Sequence, residues 1–475
     1  MTERRSYLTN TVYVLAANAI ALVVAFFVSP LIARVLQPEA FGLYALILRT
    51  GSAIPAVLLF SMNSAALYYL ARRHGDMANA GRVVTTSLAF LACTTLLFAA
   101  PVYFVLSIAV PSLGFWGFVV AYFLGFALSL LGLAQAVQQG LERFKAYSAL
   151  TALVASFAAL AALAAALVLK DAVATALARG AVIAFVSFAG LLLLRCFGSF
   201  SCQQLRVLWV YAKPLGLAGI VGALIALVDR YLLAAYHSTA EVGYFDIAFT
   251  IATAALPFTA ALLTTMAPRV IRTSAKMDSY YRRLSAFSVI SLSLFGFGLV
   301  VFSDIIIYLL LGQAYLPGAL EPLRLMALAL PLMALYALNC AVFSSIHSLR
   351  AAAILTVALV VCSTVLNLLL VPQWASSGAA YANLGTYFLV TGAGMLYLWK
   401  RYGVTVRHTL EQLVLFALFL LIFEVFVHSW GFIAKAVLWC AFAVFTYLLN
   451  QELVRELIEE VASLLRSRAP RLLPF

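Results

Sequence analysis

Residues 29–46 read SPLIARVLQPEAFGLYAL. A long apolar run closes with Arg34, the chain turns through Gln37-Pro38-Glu39, and Gly42-Leu43-Tyr44 opens a second apolar run carrying Arg49. That is the pattern of two membrane helices meeting at a tight turn. The arrangement returns at residues 227–249, LVDRYLLAAYHSTAEVGYFDIAF, where Asp229-Arg230 stands near a helix end and Gly243-Tyr244 opens a helix carrying Asp246. Gly42 and Gly243 lie about two hundred residues apart, the spacing of an internal repeat. A membrane chain built from two repeated halves points to a transporter.

The composition agrees with a membrane setting. Hydrophobic residues make up 65% of the chain and charged residues 10%, whereas a soluble domain is roughly 45–50% apolar. Apolar runs repeatedly reach the ~20 residues that a spanning helix needs, so the expectation is an all-α polytopic membrane protein. We place the segments at 9–35, 42–70, 83–108, 113–139, 147–169, 173–194, 209–236, 244–266, 284–303, 323–346, 351–370, 378–399, 410–428 and 433–450, about fourteen transmembrane helices. They group as two repeated six-helix lobes, 1–200 and 201–402, then a C-terminal transmembrane hairpin, 403–452, and an amphipathic tail, 453–475, lying on the inner surface. The first segment is too long for a cleaved signal peptide, and no A-x-A site follows it.

The net charge of +13 follows from topology rather than from a nucleic-acid partner. With the N-terminus inside, the clusters Arg4-Arg5, Arg72-Arg73, Arg143/Lys145, Arg282-Arg283 and Lys400-Arg401 are all cytoplasmic, and outside loops hold Lys170 and Lys435. The positive-inside rule thus fixes the orientation, with both termini cytoplasmic in the cell membrane. Cys93, Cys196, Cys202, Cys340, Cys362 and Cys440 have no metal-ligand spacing and read as reduced packing residues. No phosphate-cradling G-x-x-x-x-G-K-[ST] loop, metal cluster or G-x-S-x-G elbow occurs, and the histidines fall at segment ends or in loops. Neither catalysis, metal nor cofactor is expected.

The polar residues inside the segments need a reason. Arg49, Ser52, Ala56 and Asn63 share a polar and small stripe, and Asp246, Thr250, Thr253, Pro257 and Thr264 share another. Gln135, Gln138, Gln139 and Glu142 end the fourth segment, as an inner gate or, more simply, a solvated helix end. Five arginines, Arg34, Arg49, Arg179, Arg230 and Arg324, fall in the outer half of the segments beside Asp229, Asp246 and Asp304. A charge at the bilayer centre costs roughly 2.5–3.5 kcal/mol on insertion scales, so each faces water, a partner or the interface. Singly, Arg34 and Arg324 can snorkel and Arg230 can pair with Asp246. Together their clustering favours a cationic cavity for an anionic head group, because guanidinium binds phosphate bidentately.

These residues resemble a known family, the polysaccharide and oligosaccharide flippases of the multidrug/oligosaccharidyl-lipid/polysaccharide superfamily. The matching pieces are PLIARVLQPEAFGLYAL, QGLERF, VDRYLLAAYHSTAEVGYFDIA, IIIYLLLGQAYLPGALEPLRLMALALP and NLLLVPQWASSGAAYAN, which span nearly the whole chain in order. The resemblance implies a two-lobed bundle that alternates between inward and outward openings and moves polyprenyl-diphosphate-linked glycans across the membrane without ATP. On that basis Arg49, Arg179, Arg230, Arg324 and Arg34 are candidates for the diphosphate, Asn63, Thr250, Thr253 and Asn383 for sugar hydroxyls, and Asp229 or Asp246 for ion coupling. The expected partners are the lipid-linked glycan, membrane lipid and glycan polymerases or glycosyltransferases. A cation-coupled multidrug exporter of the same superfamily and a non-transporting scaffold of an envelope glycan assembly are the alternatives.

Overall fold

The computed structural model describes residues 2–72, 77–194, 196–257, 277–345, 349–404, 407–427 and 431–451. All regular structure among them is helical: α1 (Thr2–Leu58), α2 (Met62–Arg72), α3 (Met77–Ala109), α4 (Gly114–Gly140), α5 (Phe144–Leu169), α6 (Ala172–Leu193), α7 (Cys202–Tyr236), α8 (Thr239–Thr253), α9 (Met277–Val301), α10 (Ser303–Leu310), α11 (Leu316–Ser345), α12 (Leu349–Tyr402), α13 (Arg407–Ile422) and α14 (Phe432–Leu449). Eleven helices among the described residues are long and apolar enough to cross a membrane. Two of them, Ala16–Leu58 and Arg350–Tyr402, have 43 and 53 residues. At 1.5 Å per residue such lengths exceed twice the roughly 30 Å hydrocarbon core, so each accounts for two crossings. With α8 added, the count returns to about fourteen crossings. The chain is a multi-pass membrane protein.

Local chemistry sets the joints. α1 breaks at Gln37, with φ 65° and ψ 165°, immediately before Pro38. α12 breaks at Trp374 and Ala375 after Pro372, and the amide of Ser376 that the break frees donates to Glu241 Oε2 at 3.1 Å. Asp171 caps α6 by accepting from the Ala174 amide at 2.7 Å, as an N-cap carboxylate does. Two of the other joints are alike. A single 3-10 turn, Pro111–Leu113, joins α3 to α4, and a second, Gln313–Tyr315, joins α10 to α11, each flanked by a glycine at positive φ, Gly114 and Gly312. Lys170 at the end of α5 and Ala375 inside α12 both have positive φ, 51° and 46°.

The segment expected at 42–70 is divided. α1 ends at Leu58, Phe60 and Ser61 adopt positive φ, and α2 resumes at Met62. The segment expected at 244–266 is seen as far as residue 257, and the tail expected at 453–475 lies outside the described residues, as do Arg73, Arg269, Arg272, Lys276, His74, His347 and His428.

The helices pack as two compact units that interleave in sequence. One comprises Met1–Ala254, Ile305–Leu325 and Thr356–Thr386, and the other Ala255–Asp304, Met326–Leu355 and Tyr387–Phe475. In the first, the turns at Gly42 and Gly243 touch directly. A Cβ on Gly42 would collide with the Thr239 carbonyl, and one on Gly243 with the Pro38 carbonyl. Each glycine therefore sits over the carbonyl four residues before the other, a reciprocal close approach that small residues alone permit. Tyr315 is buried beside them and donates its hydroxyl to the Ala33 carbonyl at 2.9 Å.

In the second unit the hairpin α13–α14 is built into the packing of α9. Phe297 sits among Phe416, Phe419 and Phe442, with centroids 4.7–6.4 Å away. Thr409 and Ser285 hydroxyls meet at 3.1 Å, and Gln412 links Thr446 and Asn450. Lys435 corrects the sequence assignment to an outside loop. It lies in the first turn of α14, is 5% exposed, and donates to Asp304 Oδ2 at 2.7 Å. An ammonium drawn under protein in a bilayer needs a carboxylate beside it, and Asp304, expected beside arginines, supplies it.

Candidate functional site

The first unit gathers five of the candidate residues at one place. Asp229 and Arg230 stand about two turns before the end of α7, Asp246 stands two turns into α8, Arg49 projects from the half of α1 beyond its break, and Asn383 comes from α12. Arg230 Nη1 donates to both Asp229 oxygens at 2.8 Å, and its Nε and Nη2 donate to Asp246 Oδ1 at 3.1 Å. Arg49 approaches the same Asp246 side-on, Nε to Oδ1 at 2.8 Å and Nη2 to Oδ2 at 3.2 Å. Asn383 Nδ2 donates to Asp229 Oδ2 at 3.3 Å while holding the Ala379 carbonyl of its own helix. The carboxylate of Asp246 is thus shared between two guanidiniums, and one of those is shared between two carboxylates.

Burial separates the two arginines. The Arg230 side chain is 3% exposed and Arg49 30%. Phe249 lies 4.6 Å from the Arg230 guanidinium carbon and 5.6 Å from that of Arg49, and Phe245 lies 4.8 Å from Arg230. Both rings follow from the helical spacing of α8, which puts positions 245, 246 and 249 on neighbouring faces, and a ring face over a guanidinium stabilises it by about 0.5–2 kcal/mol. Beside the network the Thr50 and Tyr231 hydroxyls meet at 2.9 Å, a direct α1–α7 link. At this point the positive charge read from the sequence is matched charge for charge, two guanidiniums against two carboxylates, and the pairing of Arg230 with Asp246 weighed there is present.

The remaining candidates lie elsewhere. Arg179 is half-buried on α6 and donates to the hydroxyl of Tyr44 at 3.1 Å. Arg34 is exposed one turn before the α1 break, its carbonyl accepting from Gln37 Nε2 at 2.9 Å. Arg324 is half-buried in α11, and Asn63 is half-buried on α2 against Gly132 of α4. Thr250 and Thr253 continue the face of Asp246 along α8, with the Thr253 hydroxyl turned back to the Phe249 carbonyl at 2.7 Å. At the end of α4, Gln135 donates to Thr151 at 3.1 Å and Gln138 is buried. Among the described residues no group of His, Cys, Asp and Glu is placed to hold a metal ion.

A family model described as "Polysaccharide biosynthesis protein" matches residues 7–274, a stretch containing Arg49, Asp229, Arg230 and Asp246. The chain belongs to the polysaccharide biosynthesis protein family. Among curated proteins no sequence matches. Among solved structures, one titled "Lipid II flippase MurJ, inward closed conformation" superposes with a TM-score of 0.73 at 11% identity, covering 93% of this chain and 100% of that one. An inward-facing multidrug resistance MATE family transporter gives 0.68 at 14% identity, covering 82% and 98%. A transporter from Pyrococcus furiosus, titled for the reverse polarity of its binding pocket, gives 0.53 at 13%, covering 84% and 96%. At these identities the likeness is one of fold. This member of the polysaccharide biosynthesis protein family has the helical fold of the multidrug/oligosaccharidyl-lipid/polysaccharide superfamily of transporters. Sequence reading missed Thr50, Tyr231, Phe245 and Phe249 at its site. The first two were signalled by adjacency to Arg49 and Arg230, whereas an aromatic ring in an apolar helix carries no signal of its own.

Proposed function

We propose that this protein is a flippase that carries polyprenyl-diphosphate-linked oligosaccharide from the cytoplasmic to the outer leaflet of the cell membrane by alternating access. The observation behind the reading is the network at Asp246, in which one guanidinium is sealed and the other is accessible. A diphosphate brings more negative charge and more acceptor oxygens than one carboxylate, so it can exchange for Asp246 on Arg49, whose planar donors suit either. Asp246 keeps Arg230 as a hydrogen-bonded partner when Arg49 leaves, although that guanidinium then serves Asp229 as well, so the exchange costs less than stranding a carboxylate with no cation. Departure of Arg49 loosens α1 from α8, and that differential contact ties occupancy to helix rearrangement.

From their separate places in the helices, Arg34, Arg179 and Arg324 are the further guanidiniums we assign to the diphosphate, and Asn63, Thr250, Thr253 and Asn383 are the amides and hydroxyls we assign to sugar. Asp229 and Asp246 are the candidate coupling groups, because a proton or cation taken up there would free Arg230 in turn. The repeated lobes 1–200 and 201–402 are the moving parts. Family membership supports a glycan-related cargo, and the lipid II flippase likeness supports a lipid-linked one. A multidrug exporter would hold an organic cation with an unmatched acid, and in this network each acid already faces a guanidinium.

Reconstitution into vesicles with a fluorescent polyprenyl-diphosphate sugar tests the proposal. The native chain is expected to move the probe between leaflets, and Arg49→Ala to slow it roughly ten- to hundredfold, the worth of a charged hydrogen-bond pair. No movement by the native chain, or equal movement by Arg49→Ala, would overturn it.

A further inference from the structure

The stretch from Gly42 to Arg72 carries a joint at Phe60 and Ser61, where φ is 46° and 59°. An L-residue in that region presses its Cβ against a carbonyl oxygen, and a bulky aromatic is rarely found there. The joint also forgoes hydrogen bonds. The Leu59 amide reaches the Pro55 carbonyl at 3.0 Å and the Met62 amide the Leu59 carbonyl at 2.8 Å, whereas the Phe60 and Ser61 amides have no partner among the described residues. Winding the joint as helix would remove the strain and give both amides the carbonyls four residues back. Contacts from other helices must therefore keep it bent.

Most of those contacts come from α7. The Phe60 ring stacks on Trp209 with centroids 5.1 Å apart and planes 21° apart, and Phe90 of α3 lies 5.8 Å from the indole. The same ring covers Gly216, where a Cβ would run into it, and Ser61 Oγ lies 3.7 Å from the Cβ position of Gly219. Two turns on, Tyr68 stacks on Tyr211 at 4.5 Å and 16°, its hydroxyl accepting from Arg72 Nη1 at 3.1 Å. The Thr94 hydroxyl of α3 lies 2.8 Å from the Leu58 carbonyl at the edge of the joint. α7 meets α1 again at Thr50–Tyr231, but between the two places a Cβ on Gly222 would touch nothing within 4 Å. The ring contacts are thus a separate attachment, and Trp209 and Tyr211 precede Leu215–Tyr236, the stretch apolar enough to span.

We infer that the Phe60–Ser61 joint is a two-position switch, bent while this part of α7 is docked and wound into one continuous helix through Arg72 when it withdraws. Backbone strain favours release and the stacked rings oppose it. Strain of this kind persists only where surrounding contacts hold it, and a joint with two such shapes responds to whatever shifts α7. The joint lies about 27 Å along the helix from Gly42, away from the Asp246 network, and the inference does not depend on the cargo.

Hydrogen–deuterium exchange of the full chain in micelles, resolved to the Phe60 and Ser61 amides, reads the switch. Trp209→Ala removes the stack and should wind the joint, slowing exchange at both amides roughly tenfold, whereas loosened packing would speed it. Adding Ser61→Gly, which accepts positive φ without strain, should restore the native rate at the Phe60 amide, and adding Ser61→Ala should not. In the otherwise native chain Ser61→Gly should melt about 2 °C above Ser61→Ala, a comparison that decides the matter if Trp209→Ala does not accumulate. Unchanged or faster exchange in Trp209→Ala, equal effects of glycine and alanine in that background, or equal melting of the two single variants would each overturn the inference.

Discussion

The first unit and the second both bury charge within a membrane chain, and they do so differently. Around Asp246 one carboxylate serves two guanidiniums of unequal exposure. In the second unit Lys435 and Asp304 meet at 2.7 Å, with Ser285–Thr409 and Gln412–Thr446 hydrogen bonds further along the hairpin. A shared carboxylate keeps a partner when one cation leaves, so its contacts can be exchanged at modest cost. Neutral hydrogen bonds and an ion pair whose ammonium is sealed suit a hairpin that stays in place.

The contrast is most exposed to failure at Arg230. Arg230→Ala leaves Asp229 and Asp246 buried without a cation between them, and we expect a loss of about 3–5 kcal/mol, seen as reduced membrane abundance and a lower melting temperature. If it melts like the native chain, the network is not the keystone described. Gly42→Ala, which drives a methyl into the Thr239 carbonyl, should cost about 1–3 kcal/mol in the same melt, and Gly243→Ala should match it, since the contact is reciprocal. Arg49→Ala should destabilise less than Arg230→Ala, by about 1–2 kcal/mol, while abolishing most transport. A melt as poor as that of Arg230→Ala would make Arg49 a structural group rather than an exchangeable one. Lys435→Met should cost about 1 kcal/mol, because the Asp304 side chain it abandons is 41% exposed. Tyr231→Phe, removing the hydroxyl that meets Thr50, should cost about 1 kcal/mol and leave transport intact.

Much of this was legible in the sequence. Apolar run lengths and the Gln37-Pro38-Glu39 turn are local signals, and the structure places a helix break at Gln37. Arg49, Arg230, Asp229 and Asp246 stood out because an unpaired charge is costly in hydrocarbon. Which carboxylate each guanidinium takes was not legible, since the Arg49–Asp246 contact joins positions 197 apart. Lys435 was misplaced for the same reason, as its partner is 131 positions away. The break at Phe60-Ser61 carries no glycine and no proline at the positive-φ positions themselves. Gly42 and Gly243 stood out in the sequence by their similar surroundings, but not that the two would touch.

That touch behaves as a rivet. From Gly42 to Arg49 α1 rises about 10 Å, so a scissor swing of about 6° at the glycines displaces the Arg49 end by about 1 Å and carries a 2.8 Å contact past hydrogen-bonding reach. With no side chain between the blades to plough through its neighbour, the catch at Asp246 can be sprung by a rotation small enough to leave the rivet closed.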